Sequence, residues 1–151
     1  MASRSIETAG PQETESLGAQ LARLLRRGDL VLIRGELGSG KTTLVRGAAR
    51  ELGVTGPVTS PTFSIGHRYE APRVTVSHLD LYRLEALQDE EPDLLEDYLG
   101  DGRIAFVEWP PEAARELQGA RMRVTLNHRG GDRRLIEVEE MAAGGKDGQE
   151  R

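Results

Sequence analysis

A three-layer α/β domain, built on a mixed and mostly parallel sheet with antiparallel hairpins, is the fold class that this sequence predicts. Three observations predict it. An apolar run at residues 30–33 leads through a glycine-rich loop, Gly35-Glu36-Leu37-Gly38-Ser39-Gly40-Lys41-Thr42-Thr43, into a helix-like segment at 44–52, the strand–loop–helix order that opens a parallel α/β unit. A second apolar run, Ile104, Ala105, Phe106 and Val107, ends in the acid Glu108. Two stretches of alternating apolar residues, at 63–80 and 121–140, carry turn residues at their centres and read as hairpins.

The totals suit one domain. At 151 residues with 37% hydrophobic and 30% charged side chains, the chain can bury a full core. Residues 1–141 are expected to form the domain, and 142–151, which have no apolar face, a disordered polar tail. No run reaches transmembrane length and residues 1–5 lack the apolar core of a signal peptide, so the cytoplasm is the expected location, with no membrane partner. The absence of cysteine excludes a disulfide framework and a thiolate metal site. His67, His78 and His128 are too scattered for a zinc cluster, and read as ordinary surface or core histidines. A net charge of −5 argues against a direct grip on a nucleic-acid backbone; any RNA would be held by a partner.

Taken in order, the chain starts with a short edge strand around residues 5–8. A helix at 13–27 follows, with Leu17, Leu21, Leu24 and Leu25 at helical spacing and Gly28-Asp29 as its stop. This helix is expected to pack on the sheet, and its beginning, Glu13-Thr14, could also lie near a bound base. The buried strand 30–33, the loop and a helix at 41–52 come next, then a turn region at 53–57. In the first hairpin, Phe63, Ile65, His67 and Tyr69 alternate in one arm and Val74 and Val76 in the other, joined by Ala71-Pro72-Arg73. Residues 85–97 hold seven acids and no base, which reads as a solvated face or as a docking surface for a basic partner. After the strand at 103–108 and a helical turn or two at 112–117, the arms 121–127 and 133–140 form the second hairpin around Gly130-Gly131-Asp132.

The loop spells phosphate binding. Gly35, Gly38 and Gly40 allow the main chain to curl with positive φ, so that successive N–H groups make an anion cradle at a helix N-terminus. Ser39 contributes to that cradle, Lys41 can reach the β- and γ-phosphates, Thr42 offers a hydroxyl to Mg²⁺, and Thr43 can donate to the α-phosphate. The chain has only two lysines, Lys41 and Lys146, against eighteen arginines. Lysine is thus kept where a compact ammonium suits a phosphate better than a planar fork. The fold class is therefore a P-loop NTPase-like domain, and the expected ligand is ATP with Mg²⁺; no Asn-Lys-x-Asp signature for guanine is present.

Hydrolysis also needs metal ligands and a group to orient the attacking water. Asp80 and Glu108 each close an apolar strand, and ligands of parallel sheets sit beyond the carboxyl ends of the strands. Glu108 is the expected Mg²⁺ ligand and Asp80 the acid that orients water, with the division between them open. Ser60-Pro61-Thr62 lies where related hydrolases keep a segment that closes over the γ-phosphate, and Thr62 could sense it; an ordinary proline turn opening a strand is the other reading.

Together, GELGSGKTTL at 35–44, SPTF at 60–63, HLDLYRL at 78–84 and VEWP at 107–110 resemble, in order and spacing, the bacterial TsaE family, once called YjeE. The resemblance runs from about residue 5 to 140 and rests on four motifs that are specific as a set. It implies a small P-loop ATPase that supports formation of N6-threonylcarbamoyladenosine at position 37 of tRNAs reading codons that begin with A. In that system TsaC makes threonylcarbamoyl-AMP, and TsaD with TsaB transfers the group. The TsaE-like subunit hydrolyses ATP and binds the TsaB and TsaD pair to reset the complex, so that tRNA is met only through the complex. By motif matching, Lys41, Thr42 and Thr43 carry over as phosphate and Mg²⁺ contacts, Glu108 as a Mg²⁺ ligand and Asp80 as a catalytic acid. Thr62 falls in the switch-like segment, Tyr82 and Trp109 in motifs near the nucleotide, and Arg133 or Arg134 matches an arginine near the nucleotide. Leu94 departs from the family, where glycine is common. A small-molecule kinase is the alternative reading, weakened by the lack of an arginine-rich lid and of an acceptor-binding insertion. A nucleotide-dependent interaction module that barely hydrolyses is a third, weakened by the second acid.

Overall fold

Residues 30–33 carry no polar side chain, and such a run is stable only as a strand covered on both faces. In the computed structural model of the chain, which describes residues 2–36, 38–59, 66–81, 102–108 and 119–141, that run lies in the middle of one sheet. The strands are β1 (Ala2–Thr8), β2 (Leu30–Gly35), β3 (Gly66–Glu70), β4 (Thr75–Asp80), β5 (Arg103–Glu108), β6 (Met122–His128) and β7 (Arg134–Glu140). The helices are α1 (Pro11–Ala22) and α2 (Lys41–Glu51). The sheet runs β1-β7-β6-β2-β5-β4-β3. Its centre is parallel, with β2 between β6 and β5 and β4 beyond β5. The two predicted hairpins, β3–β4 and β6–β7, and the strand β1 add antiparallel pairs on either side.

Alternation sorts the side chains. Val31, Ile33, Ile104, Phe106, Val124 and Leu126 face α1 and α2 and form one cluster with Leu17, Leu21, Leu44, Val45 and Ala48. Leu32, Leu79 and Val107 point the other way and are fully buried as well. The two helices touch through glycines: a Cβ on Gly18 would strike the Leu44 carbonyl, and one on Gly47 would strike the main chain of Glu15. That contact holds α2, and with it the glycine-rich loop, against α1.

Several boundaries differ from expectation for identifiable reasons. Helix α1 starts at Pro11, two residues before the expected start. Proline there fits the first helical position, where its missing N–H goes unneeded, and Glu13 Oε1 accepts from the Ala9 N–H at 2.8 Å. The helix ends at Ala22 rather than 27. Leu24 and Leu25 donate to the carbonyls three residues back, Leu21 and Ala22, at 3.0 and 3.1 Å, a tightening that still lets Leu25 pack into the core. β1 runs from Ala2 rather than 5, because its whole length pairs with β7, Ala2 opposite Glu140 and Thr8 opposite Arg134. The expected arm of the first hairpin upstream of Gly66, the acidic run 85–97 with Leu94, the helical turn at 112–117 and the tail 142–151 all lie outside the described residues. Among the described residues no helix is long and apolar enough to cross a membrane.

Candidate functional site

The loop between β2 and α2 sits at the carboxyl edge of the parallel strands. Gly38 and Gly40 have φ of 77° and 104°, a region that side chains rarely adopt, and Gly40 is the residue from which α2 springs. Gly35 is different from expectation. It has no positive φ, and glycine is needed there because a Cβ would collide with Ser39 Oγ and crowd the Leu126 carbonyl at 3.0 Å. Ser39 is buried, and its Oγ has no hydrogen-bond partner among the described residues.

Lys41 opens α2 and folds back over the loop, donating from Nζ to the carbonyls of Gly35 at 2.5 Å and Glu36 at 3.2 Å. Burial pushes its ammonium below the ordinary lysine value of 10.5, while Glu108, and after it Asp80, pull the other way. Both carboxylates therefore lie within electrostatic range of Nζ. Thr42 and Thr43 follow in the first turn of α2, half-buried. Thr14 of α1 stands beside the loop: its Cγ2 would lie 3.9 Å from a Cβ on Gly40, and its hydroxyl shares a hydrogen bond of 2.9 Å with that of Thr8.

Across from the loop, β4 and β5 run parallel with Asp80 directly opposite Glu108. The two strand-end acids singled out from the sequence are thus lateral neighbours. Glu108 is buried, and its Oε2 lies 2.6 Å from Nε2 of His78, which is wholly buried. His78 was expected to be an ordinary histidine. Its partner is thirty residues away in sequence, and only the pairing of β4 with β5 brings the two together.

An arginine of the second hairpin reaches the loop, and it is Arg134. Its Nε donates to the Ser39 carbonyl and its Nη2 to the Gly38 carbonyl, both at 3.0 Å, while Nη1 donates to the carbonyls of Gly131 and Arg133 at 2.8 and 2.9 Å. Arg133, the alternative, turns to the Arg129 carbonyl at 3.2 Å and makes no contact with the loop among the described residues. Thr62, Tyr82 and Trp109, with the rest of SPTF, lie outside the described residues.

The donor set suits a hard cation that takes oxygen ligands: one hydroxyl, Thr42, and two carboxylates, Glu108 and Asp80, around a phosphate cradle. Among the described residues no three His, Asp or Glu side chains gather into a cage. A Mg²⁺ ion is ordinarily bound through one or two protein oxygens together with the phosphates of its nucleotide and needs no such cage.

A sequence profile for "Threonylcarbamoyl adenosine biosynthesis protein TsaE" matches residues 8–136, from the end of β1 into β7. The chain belongs to the TsaE family. Among relatives, a protein of Streptomyces coelicolor named tRNA threonylcarbamoyladenosine biosynthesis protein TsaE is 45% identical over 118 residues, 77% of this chain and 80% of its own length. The protein of the same name in Bacillus subtilis is 35% identical over 130 residues, 85% of this chain and 80% of its own. Among solved structures, the crystal structure of Bacillus subtilis YdiB superposes with a TM-score of 0.71 at 27% identity, covering 93% of this chain and 87% of that one. Membership in the TsaE family accounts for the P-loop fold, with β2 leading into the loop and α2. The matched span contains the loop, Asp80 and Glu108.

Proposed function

We propose that the chain is a Mg²⁺-dependent ATPase required for formation of N6-threonylcarbamoyladenosine at position 37 of tRNAs reading ANN codons. In this reading it works in the cytoplasm with TsaB and TsaD and meets tRNA only through them. The observation that carries the chemical part is the placement of Lys41 between a phosphate cradle and two carboxylates in register, Asp80 and Glu108. The biological part is carried by family membership and by the names of the relatives.

In this reading each residue of the site has a role. Main-chain N–H groups around Gly38, Ser39 and Gly40 bind the phosphates, and Lys41 exchanges its loop carbonyls for β- and γ-phosphate oxygens. Thr42 and Glu108 hold the metal, and Thr43 meets the α-phosphate. When bound, Mg²⁺ neutralises phosphate oxygens as charge moves during transfer. Asp80 orients the attacking water; the motif match, not a described position, assigns Thr62 to sensing the γ-phosphate and Trp109, with the arginine of the second hairpin, to the nucleotide.

The test is release of labelled phosphate from γ-labelled ATP by the pure chain, with and without TsaB and TsaD. Hydrolysis is expected to be slow alone and to rise with the pair. Lys41→Ala weakens ATP binding, whereas Glu108→Ala lowers the rate by roughly 10²–10³-fold, the scale for losing one group that stabilises transition-state charge. Full turnover by Glu108→Ala refutes the metal assignment, and label found on a small acceptor identifies a kinase instead.

A further inference from the structure

On the reading that Glu108 ligates magnesium, we infer that His78 is the positioning residue for that ligand. It grips Oε2 of the carboxylate from inside the sheet and leaves Oε1 for the metal.

The argument starts from strand register. His78 pairs with Phe106 and Asp80 with Glu108, so His78 sits one pleat inward from the carboxylate, on the same face of the sheet. The imidazole reaches outward to Glu108 at 2.6 Å, and this is the hydrogen bond that Glu108 makes among the described residues. Both side chains are buried, at 0% and 4% exposure, so water does not compete for the contact. Nδ1 of His78 is buried without a hydrogen-bond partner among the described residues. An unprotonated Nε2 would set its lone pair against an oxygen lone pair of the carboxylate at 2.6 Å. The proton therefore belongs on Nε2, where it is donated to the carboxylate.

Histidine suits this task better than the usual partners of a carboxylate. An arginine or lysine at position 78 would set a full positive charge against Glu108 and oppose a divalent cation there. An imidazole that donates from Nε2 with Nδ1 bare fixes the carboxylate without that charge. Carboxylates that bind metals are commonly held by such outer hydrogen bonds, whose loss weakens metal binding. Among the described residues, Lys41 acts on Glu108 from the loop side and Asp80 stands beside it, and neither gives the buried imidazole another task.

The test is Mn²⁺ binding to the chain loaded with ADP, read as free Mn²⁺ by electron paramagnetic resonance, on His78→Leu, His78→Asn, His78→Gln and Glu108→Gln. Leucine removes the donor and asparagine is too short to place one at Nε2, so both are expected to weaken Mn²⁺ by roughly 10–100-fold. Affinity for ADP in the presence of chelator is expected to be unchanged. Glutamine, whose amide nitrogen lies as many bonds from Cβ as Nε2 does, restores binding. If His78→Leu does not fold, the contrast of asparagine with glutamine decides. Parental Mn²⁺ affinity in the asparagine variant, or a glutamine variant that melts like the parent yet binds as weakly as asparagine, overturns the inference. An unchanged Glu108→Gln overturns the metal reading itself and the inference with it. A weakened Glu108→Gln beside an unaffected His78→Asn overturns the inference alone. Nitrogen-15 spectra of the imidazole are expected to show Nε2 protonated, and a proton on Nδ1 would refute the arrangement.

Discussion

Arg134 offers the sharpest test of how the loop is held. Its guanidinium joins the second hairpin to the phosphate cradle by two hydrogen bonds, to the carbonyls of Ser39 and Gly38. Two more, to Gly131 and Arg133, fasten it to its own turn. A hydrogen bond from a charged donor contributes about 1.5–3 kcal/mol when buried. Arg134 is only half-buried, so about 1 kcal/mol for each loop bond is the fairer figure. Arg134→Ala is then expected to cost about 2 kcal/mol of loop organisation, which at 1.4 kcal/mol per tenfold weakens nucleotide binding roughly 30-fold. The assay is calorimetric titration with ADP and Mg²⁺. Arg133→Ala serves as the control, since among the described residues the Arg133 side chain bonds to the Arg129 carbonyl of its own turn and not to the loop, and a change of no more than about twofold is expected. An affinity for Arg134→Ala within about threefold of the parent, or a larger loss for Arg133→Ala, would refute the idea that the hairpin braces the cradle.

Two further outcomes follow from packing and charge. Gly47→Ala drives a methyl group into the main chain of Glu15, which cannot swing aside. Overpacking of this kind costs about 2–3 kcal/mol, equivalent to a fall of roughly 4–12 °C in Tm for a chain of this size, and an unchanged calorimetric melt would contradict it. For Lys41, burial depresses the folded value below 10.5 while the unfolded chain keeps its proton up to that value. The unfolded state therefore binds more protons in that window, and stability rises with pH until 10.5 is passed. Lys41→Met should lack this rise, and denaturant midpoints that run parallel for the two proteins through the alkaline window would contradict the assignment.

What the sequence made legible depended on how far apart the cooperating residues lie. The loop announces itself because its glycines, lysine and threonines are contiguous, and the flanking β2 and α2 follow from local patterning. Asp80 and Glu108 were findable separately, since each acid closes an apolar run, and the rule that ligands gather at strand carboxyl ends joined them. The choice between Arg133 and Arg134 was not findable. Arg134 opens β7 and Arg133 ends the turn before it, so the choice depends on where the strand begins, the least legible feature of a sequence. Gly18 and Gly47 carry no local signal in the sequence, and only the crossing of α1 and α2 shows why glycine stands there.

His78 shows the same limit from the chemical side. Three scattered histidines argue against a zinc cluster, yet that argument concerns histidine as a ligand, and His78 acts as a donor to a carboxylate. A wholly buried imidazole in a strand otherwise filled by Val76 and Leu79 needs a polar partner, because an unpaired donor there would cost more than it could contribute to packing. In a parallel sheet the available partners are the side chains one pleat away on adjacent strands, and β5 offers a single acid at that height, Glu108. Once β4 and β5 are known to be neighbours, the pair follows from the sequence. The order of the strands, fixed by the long crossover from β2 through α2 to β4, therefore turns two unremarkable motifs into one site.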